Sequence, residues 1–226
     1  WDPERNTREF VEAMPTWRDH GLLGFTINLQ GGNPRGYGRN QPWHNSAFTE
    51  RGELRPAYMA RLTKILDQAD TLGMVPIVGL FYFGQDERLS DEDAVVRATK
   101  AVVDWLLERK YSHVLIEIAN EVDVPRYEHS ILCAERCHEL VELVQERSRN
   151  RVDSRTGRLL ASASMRGGTL PPADLMSVAD FVLLHGNGVA ESERIGAMVR
   201  ACRQMPEYHG QPILFNEDDH FGFDQP

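Results

Sequence analysis

Cysteine is scarce in this chain: Cys133, Cys137 and Cys202 are the three among 226 residues. The first two fall one helical turn apart, where a disulfide is unusual and constrains little, so they read as small buried or half-buried helix residues. No disulfide framework is implied, which leaves the compartment open. Long apolar runs are also missing. Even Met74 to Phe83 is too short and too interrupted to span a bilayer, so the chain reads as soluble, with no membrane partner. Basic residues are in the minority, 25 Lys and Arg against 34 Asp and Glu, and the formal net charge is -9. With no basic stripe to offset it, this charge argues against a nucleic-acid partner. The sequence carries no internal repeat, low-complexity tract or linker, so residues 1–226 read as one domain with a substantial core. It begins at Trp1 with neither an initiator Met nor an apolar leader, so a signal peptide cannot be judged from it. Oligomeric state is not legible.

What is present is a regular alternation of amphipathic stretches and short apolar runs. Helical spacing predicts a helix over 7–19, then a strand over 22–29. A loop rich in Gly, Pro and Asn covers 30–55, and a helix over 56–72 ends at Gly73, as helices often do. A strand follows over 75–83. Ser90-Asp91-Glu92-Asp93 supplies an N-cap and a negative first turn for the next helix. Apolar positions at Val95, Ala98, Val102, Val103 and Leu106 continue it. A strand over 114–121, a helix over 130–148, strands over 159–164 and 180–185, a helix over 191–203 and a strand over 213–217 complete the series.

Six strands separated by helices imply parallel βαβ units. A doubly wound sheet would usually show a Gly-rich phosphate-binding turn after an early strand and before a helix. Gly31-Gly32-Asn33-Pro34-Arg35-Gly36 is Gly-rich, but it opens a long loop, so it lacks that context. Polar residues end almost every strand, which fits the mouth of a (β/α)8 barrel better. The expected fold is therefore α/β, a TIM barrel with about six of its βα units in this chain.

Two strand-like runs end in Asn-Glu: Val114-Leu115-Ile116-Glu117-Ile118-Ala119-Asn120-Glu121 and Pro212-Ile213-Leu214-Phe215-Asn216-Glu217. The C-terminal ends of parallel strands are where such folds do chemistry. Two carboxylates there are the equipment of glycoside hydrolysis, one as acid and the other as nucleophile or base. Asn-Glu at one strand end, a His two strands later and a Glu one strand after that together resemble the retaining glycoside hydrolases of clan A. The resemblance implies a TIM-barrel glycosidase that needs no cofactor and no metal. It makes Asn120-Glu121 the fourth-strand motif with Glu121 as acid/base, Glu217 the seventh-strand nucleophile, and His185 a site residue of the sixth strand. By that count the chain supplies neither the first nor the last barrel strand. The Arg frequent on the second strand and the aromatic floor of the eighth are absent, and the chain reads as a fragment of a longer protein. The partner implied is a carbohydrate, with sugar, linkage and endo or exo action left open, and a secreted or periplasmic location is slightly favoured.

In this scheme Glu121 protonates the leaving oxygen and later activates water, while Glu217 forms a glycosyl-enzyme. Asn120 contacts the sugar 2-hydroxyl, and His185 orients Glu217 or a hydroxyl. Asn28, Gln30, Asn187 and Asn216 are further candidate substrate contacts. Tyr82 and Gln85, with Asp86 and Glu87 beside them, are candidate subsite residues, and Trp43, next to His44, is a candidate stacking platform for a sugar ring. Glu117 reads as the partner of a structural salt bridge, with a third acid as the rival. Glu217-Asp218-Asp219-His220 with His185 offers an alternative, a metal-dependent hydrolase, although neighbouring residues point to opposite sides and at most two converge. A carbohydrate-binding relic without turnover is the other alternative. A carboxyl separation of about 5 Å would fit retention, and about 6.5–9.5 Å inversion.

Overall fold

A computed structural model describes residues 2–31 and 45–219. Its helices begin and end where local chemistry dictates. Helix α1 (Pro3–Asp19) starts four residues earlier than its apolar spacing predicts, because the Asp2 carboxylate accepts from the backbone N–H groups of Glu4 and Arg5, both at 3.0 Å. Helix α2 (Pro56–Leu72) opens on proline and closes on Gly73 in the left-handed conformation, as predicted. Helix α3 (Glu92–Glu108) is capped by Asp91, whose side chain takes the Ala94 N–H at 2.7 Å.

The helix expected over 130–148 is split. A 3-10 turn over Ser130–Leu132 comes first, and α4 (Cys137–Ser148) starts five residues later. The break has a tertiary cause. The Glu92 carboxylate on α3 collects the Ser130 hydroxyl, the Ile131 N–H and the Arg136 guanidinium, pinning the turn outside helical geometry. Cys133 therefore lies in the connection and Cys137 begins α4, with neither in a disulfide. A short helix, α5 (Ala173–Val178), had no signal in the periodicity, and α6 (Ser192–Gln204) matches its expected span.

The strands in chain order are β1 (Gly24–Asn28), β2 (Gln30–Gly31), β3 (Asn45–Ser46), β4 (Val75–Tyr82), β5 (Leu115–Asn120), β6 (Leu160–Ser162), β7 (Val182–His185) and β8 (Ile213–Glu217). The two-residue β2 and β3 pair antiparallel inside the segment expected to be loop. The others are parallel. One sheet runs β1-β4-β5-β6, a second pairs β7 with β8, and a parallel bridge between Ser164 and Leu183 links them. Each crossover places its strand beside the previous one, with no reversal of direction across the sheet. A doubly wound sheet would reverse at its switch point, so this order is that of consecutive βα units of a barrel. No helix among the described residues is long and apolar enough to cross a membrane.

Two apolar layers flank the parallel strands. Inside, Ile77, Phe181 and Leu183 are buried and pack with Leu115, Leu160 and Leu214 from neighbouring strands. Outside, α2, α3 and α4 bury Leu62, Leu66, Val102, Val103, Leu106, Leu140 and Val144 against Val78, Leu80, Ile116 and Ile118. Alternation along β4 and β5 serves both faces at once, which is why these strands read as continuous apolar runs. The loops after β6 and β7 touch closely: a Cβ on Gly167 would lie 1.9 Å from the carbonyl oxygen of Asn187. Gly167→Ala must therefore shift the loop that carries Asn187, and a loss of about 1–3 kcal/mol is expected in urea unfolding.

Candidate active site

The C-terminal ends of β5, β7 and β8 bring Glu121, His185 and Glu217 together. Glu121 follows β5 directly and has φ of +51°, a left-handed backbone that is uncommon outside glycine. The strand ladder with β6 reaches only Glu117 opposite Ser162. Beyond it, Ser164 receives the freed groups: its hydroxyl accepts the Glu121 N–H at 2.9 Å and its carbonyl the Val122 N–H at 3.0 Å. Asp123 then clamps Arg166, accepting its backbone N–H at 2.8 Å and its guanidinium at 3.0 Å. These bonds hold the turn in a conformation that isolated chemistry disfavours.

Glu217 is aimed by a different device. The register of β7 against β8 slips after Leu184, so that His185 lies opposite Glu217 and Asn216 is the extra residue of a bulge. The His185 imidazole is fully buried and lies between the carboxylates, its Nδ1 3.1 Å from Glu121 Oε1 and 3.6 Å from Glu217 Oε2. Asn187 Nδ2 donates to Glu217 Oε2 at 2.8 Å. The Glu121 side chain is 14 % exposed and that of Glu217 31 %, so both face a path to solvent. A carboxylate oxygen of each and a ring nitrogen of His185 all lie within 4.8 Å of one another.

Burial opposes charge on His185, but the Glu121 hydrogen bond and the charges of Glu217, Glu117 and Glu121 outweigh it and raise its pKa above the ordinary 6.5. Glu117, four residues before Glu121, is also wholly buried. The expected salt bridge is not there: among the described residues no lysine or arginine pairs with it, its Oε2 accepts the Asn216 amide at 3.5 Å, the Ser164 hydroxyl faces the carboxyl, and its Oε1 has no hydrogen-bond partner. Desolvation, helped by the Glu217 and Glu121 charges, pushes its pKa up to about 7. Sequence reasoning missed Ser164 and misjudged Glu117, because the signal for both lies in which strands become neighbours.

The other candidates divide by what holds them. Asn120 is buried, its carbonyl accepts the Tyr127 hydroxyl, and its Nδ2 has no partner. Asn28, at the end of β1, turns its Oδ1 toward Gly79, with no partner for that oxygen. Asn216 donates to Glu117 Oε2 at 3.5 Å. Gln30 is an internal strap: its Nε2 donates to the Gln85 carbonyl and its Oε1 accepts the Tyr82 N–H. Gln85 is buried and accepts from Arg88, while the Tyr82 ring packs at 4.7 Å from that of Phe83. Asp86 is buried and accepts the N–H groups of Glu128 and His129. Trp43 and His44 lie outside the described residues, as does His220.

Among the described residues, Asp218 and Asp219 join no metal-ligand cluster. Asp219 is spent on the Gly188 N–H, and the donor set that converges is instead Glu121, His185 and Glu217. This set fits a cation only in competition with the hydrogen bond between His185 and Glu121.

The sequence matches no protein-family model and no curated protein. Solved structures do resemble the chain. A glycoside hydrolase family 5 protein from Bacteroides vulgatus superposes with a TM-score of 0.60 and 14 % identity, over 94 % of this chain and 45 % of its own. A family 5 xyloglucan-specific endo-β-1,4-glucanase from a metagenomic library, in complex with cellotriose, gives 0.53 and 15 % over 92 % and 68 %. A variant of a family 5 enzyme from Prevotella bryantii, bound to a xyloglucan tetradecasaccharide, gives 0.54 and 13 % over 85 % and 74 %. The chain spans less than half the length of the Bacteroides protein. At this identity the likeness establishes the fold, which is the α/β barrel of these hydrolases with part of it in this chain.

The raised pKa of His185 carries a stability consequence. Because the folded value lies above the unfolded one, the contribution of the imidazolium is complete below about pH 6.5 and disappears as pH rises through the folded value. Replacing His185 by Asn should therefore cost more stability at pH 5.5 than at pH 9. Urea unfolding of both proteins at the two pH values measures the difference, and NMR titration of the His185 ring in the parent protein gives the midpoint.

Proposed function

We propose that this chain carries the catalytic pair of a retaining glycoside hydrolase, with Glu217 as nucleophile and Glu121 as acid/base. The observation that carries this reading is that one oxygen of Glu121 and one of Glu217 lie within 4.8 Å of each other, at the ends of strands in a barrel of this type. Carboxyl groups about 5 Å apart leave no room for a water between carboxylate and sugar, about 6.5–9.5 Å admits one, and the close approach of the two oxygens favours direct attack. In the first step Glu217 attacks the anomeric carbon, the glycosidic C–O bond breaks, and the Glu121 proton goes to the leaving oxygen. In the second, Glu121 removes a proton from water, the water oxygen bonds to the anomeric carbon, and the Glu217 carboxylate departs.

The surrounding groups fit those steps. Asn187 donates to Glu217 Oε2, which also lies 3.6 Å from His185 Nδ1, and the other oxygen is left for attack. The unpartnered Nδ2 of Asn120 is a buried donor beside the pair, suited to a sugar hydroxyl, and such contacts strengthen as charge develops at the anomeric carbon. Similar structures are described with cellotriose and a xyloglucan oligosaccharide, so β-1,4-linked glucans are the substrates to try first.

The test uses the complete protein on a panel of glucans and aryl glycosides. Glu217→Ala should lower kcat on the order of a thousandfold or more, and azide should restore turnover as a glycosyl azide. Activity that disappears with a chelator would replace this reading by metal-assisted hydrolysis at the same three side chains. Sugar binding without turnover would mark a non-catalytic relic.

A further inference from the structure

Glu117 is a buried carboxyl on strand β5 that the two-carboxylate mechanism leaves unused. Its contacts reach both members of the pair. The Ser164 hydroxyl that faces the Glu117 carboxyl also accepts the strained Glu121 N–H at 2.9 Å. Asn216, which donates to Glu117 Oε2, is the bulge residue immediately before Glu217. Beneath His185, a second path from one catalytic strand end to the other therefore runs through Glu117. We propose that Glu117 is a positioning residue: its buried carboxyl ties the Glu121 turn, through Ser164, to the Glu217 bulge, through Asn216, and so sets the separation of the pair. The inference rests on the glycosidase reading and adds a residue to it.

The same placement gives Glu117 an electrostatic role. The groups facing it are Glu121 on its own strand, Glu217 on β8, His185 on β7, and the Tyr127 phenol and Cys137 thiol from the β5–α4 connection and α4. His185 is the one cationic partner among them. Below about pH 7 Glu117 is the neutral acid, and above it a third carboxylate charge lies under the pair and raises the His185 pKa. Glu117→Gln keeps the shape and abolishes that charge.

In the full-length protein, Glu117→Gln should lower the His185 titration midpoint by roughly half to one pH unit. It should also lower kcat about tenfold with KM unchanged, the mark of misplaced reacting groups. Ser164→Ala cuts the same tie on the Glu121 side and should lower kcat similarly. The double variant should be no worse than either single one, because the two share one connection. Should Glu117→Gln fail to fold, Ser164→Ala carries the kinetic test alone. An unchanged His185 midpoint, an unchanged kcat, or additive losses in the double variant would overturn the proposal while leaving the glycosidase reading intact. A full-length protein that cleaves no glycoside would remove that reading, and the positioning role with it, even if the His185 midpoint moves.

Discussion

Two carboxyl groups whose oxygens lie within 4.8 Å of each other repel by about 3–4 kcal/mol at an effective dielectric near 20 when both are ionised, and the rest of the site is arranged around that repulsion. The imidazole of His185 is fully buried between them, within hydrogen-bonding distance of one and close to the other. A neutral residue there would leave two like charges facing each other across a half-dry cleft. An imidazolium offsets both, and their charges are what raise its pKa despite burial. Arginine would supply the charge permanently. Histidine lets it come and go with pH, so the balance of the cluster is itself a titrating quantity.

Holding that geometry requires backbone that regular structure does not provide. A β-strand continuing through Glu121 would not take the positive φ that this residue adopts, and an unbroken β7–β8 register would bring Asn216 rather than Glu217 opposite His185. Both irregularities occur where the ladder stops, and each is compensated by a polar side chain from a neighbouring strand. Ser164 takes the Glu121 N–H, and Glu117 takes the Asn216 amide. The strained turn and the bulge are thus supported by the same interior layer.

Much of this was legible in the sequence. The six apolar runs became six parallel strands, and the Asn-Glu endings marked the two that carry the pair, because a buried parallel strand is apolar on both faces until it reaches the mouth. Capping explains the clean helix ends at Asp91 and Gly73. The illegible parts depend on contacts between segments far apart in the chain. The helix expected over 130–148 broke because Glu92, on another helix, gathers its first turn. Glu117 looked like half of a salt bridge, since a carboxylate in an apolar strand ordinarily needs a cation. Its partners proved to be a hydroxyl and an amide, with a pKa of about 7 that keeps it largely neutral in mildly acid solution.

That neutrality explains how an acidic residue can occupy the barrel interior at all. Immediately below lies the apolar layer of Ile77, Phe181, Leu183 and their neighbours, which excludes water and lowers the local dielectric. An ionised Glu117, wholly buried, would be strongly disfavoured, while a protonated one resembles a large polar amide. A leucine in its place would pack more comfortably and would free Ser164 and Asn216 from their common partner, so the turn and the bulge would be positioned independently. In the proposed positioning role the buried acid exchanges packing stability for coupling between two strand ends, and coupling is what a site needs when the two carboxylates it brings together stand on different strands.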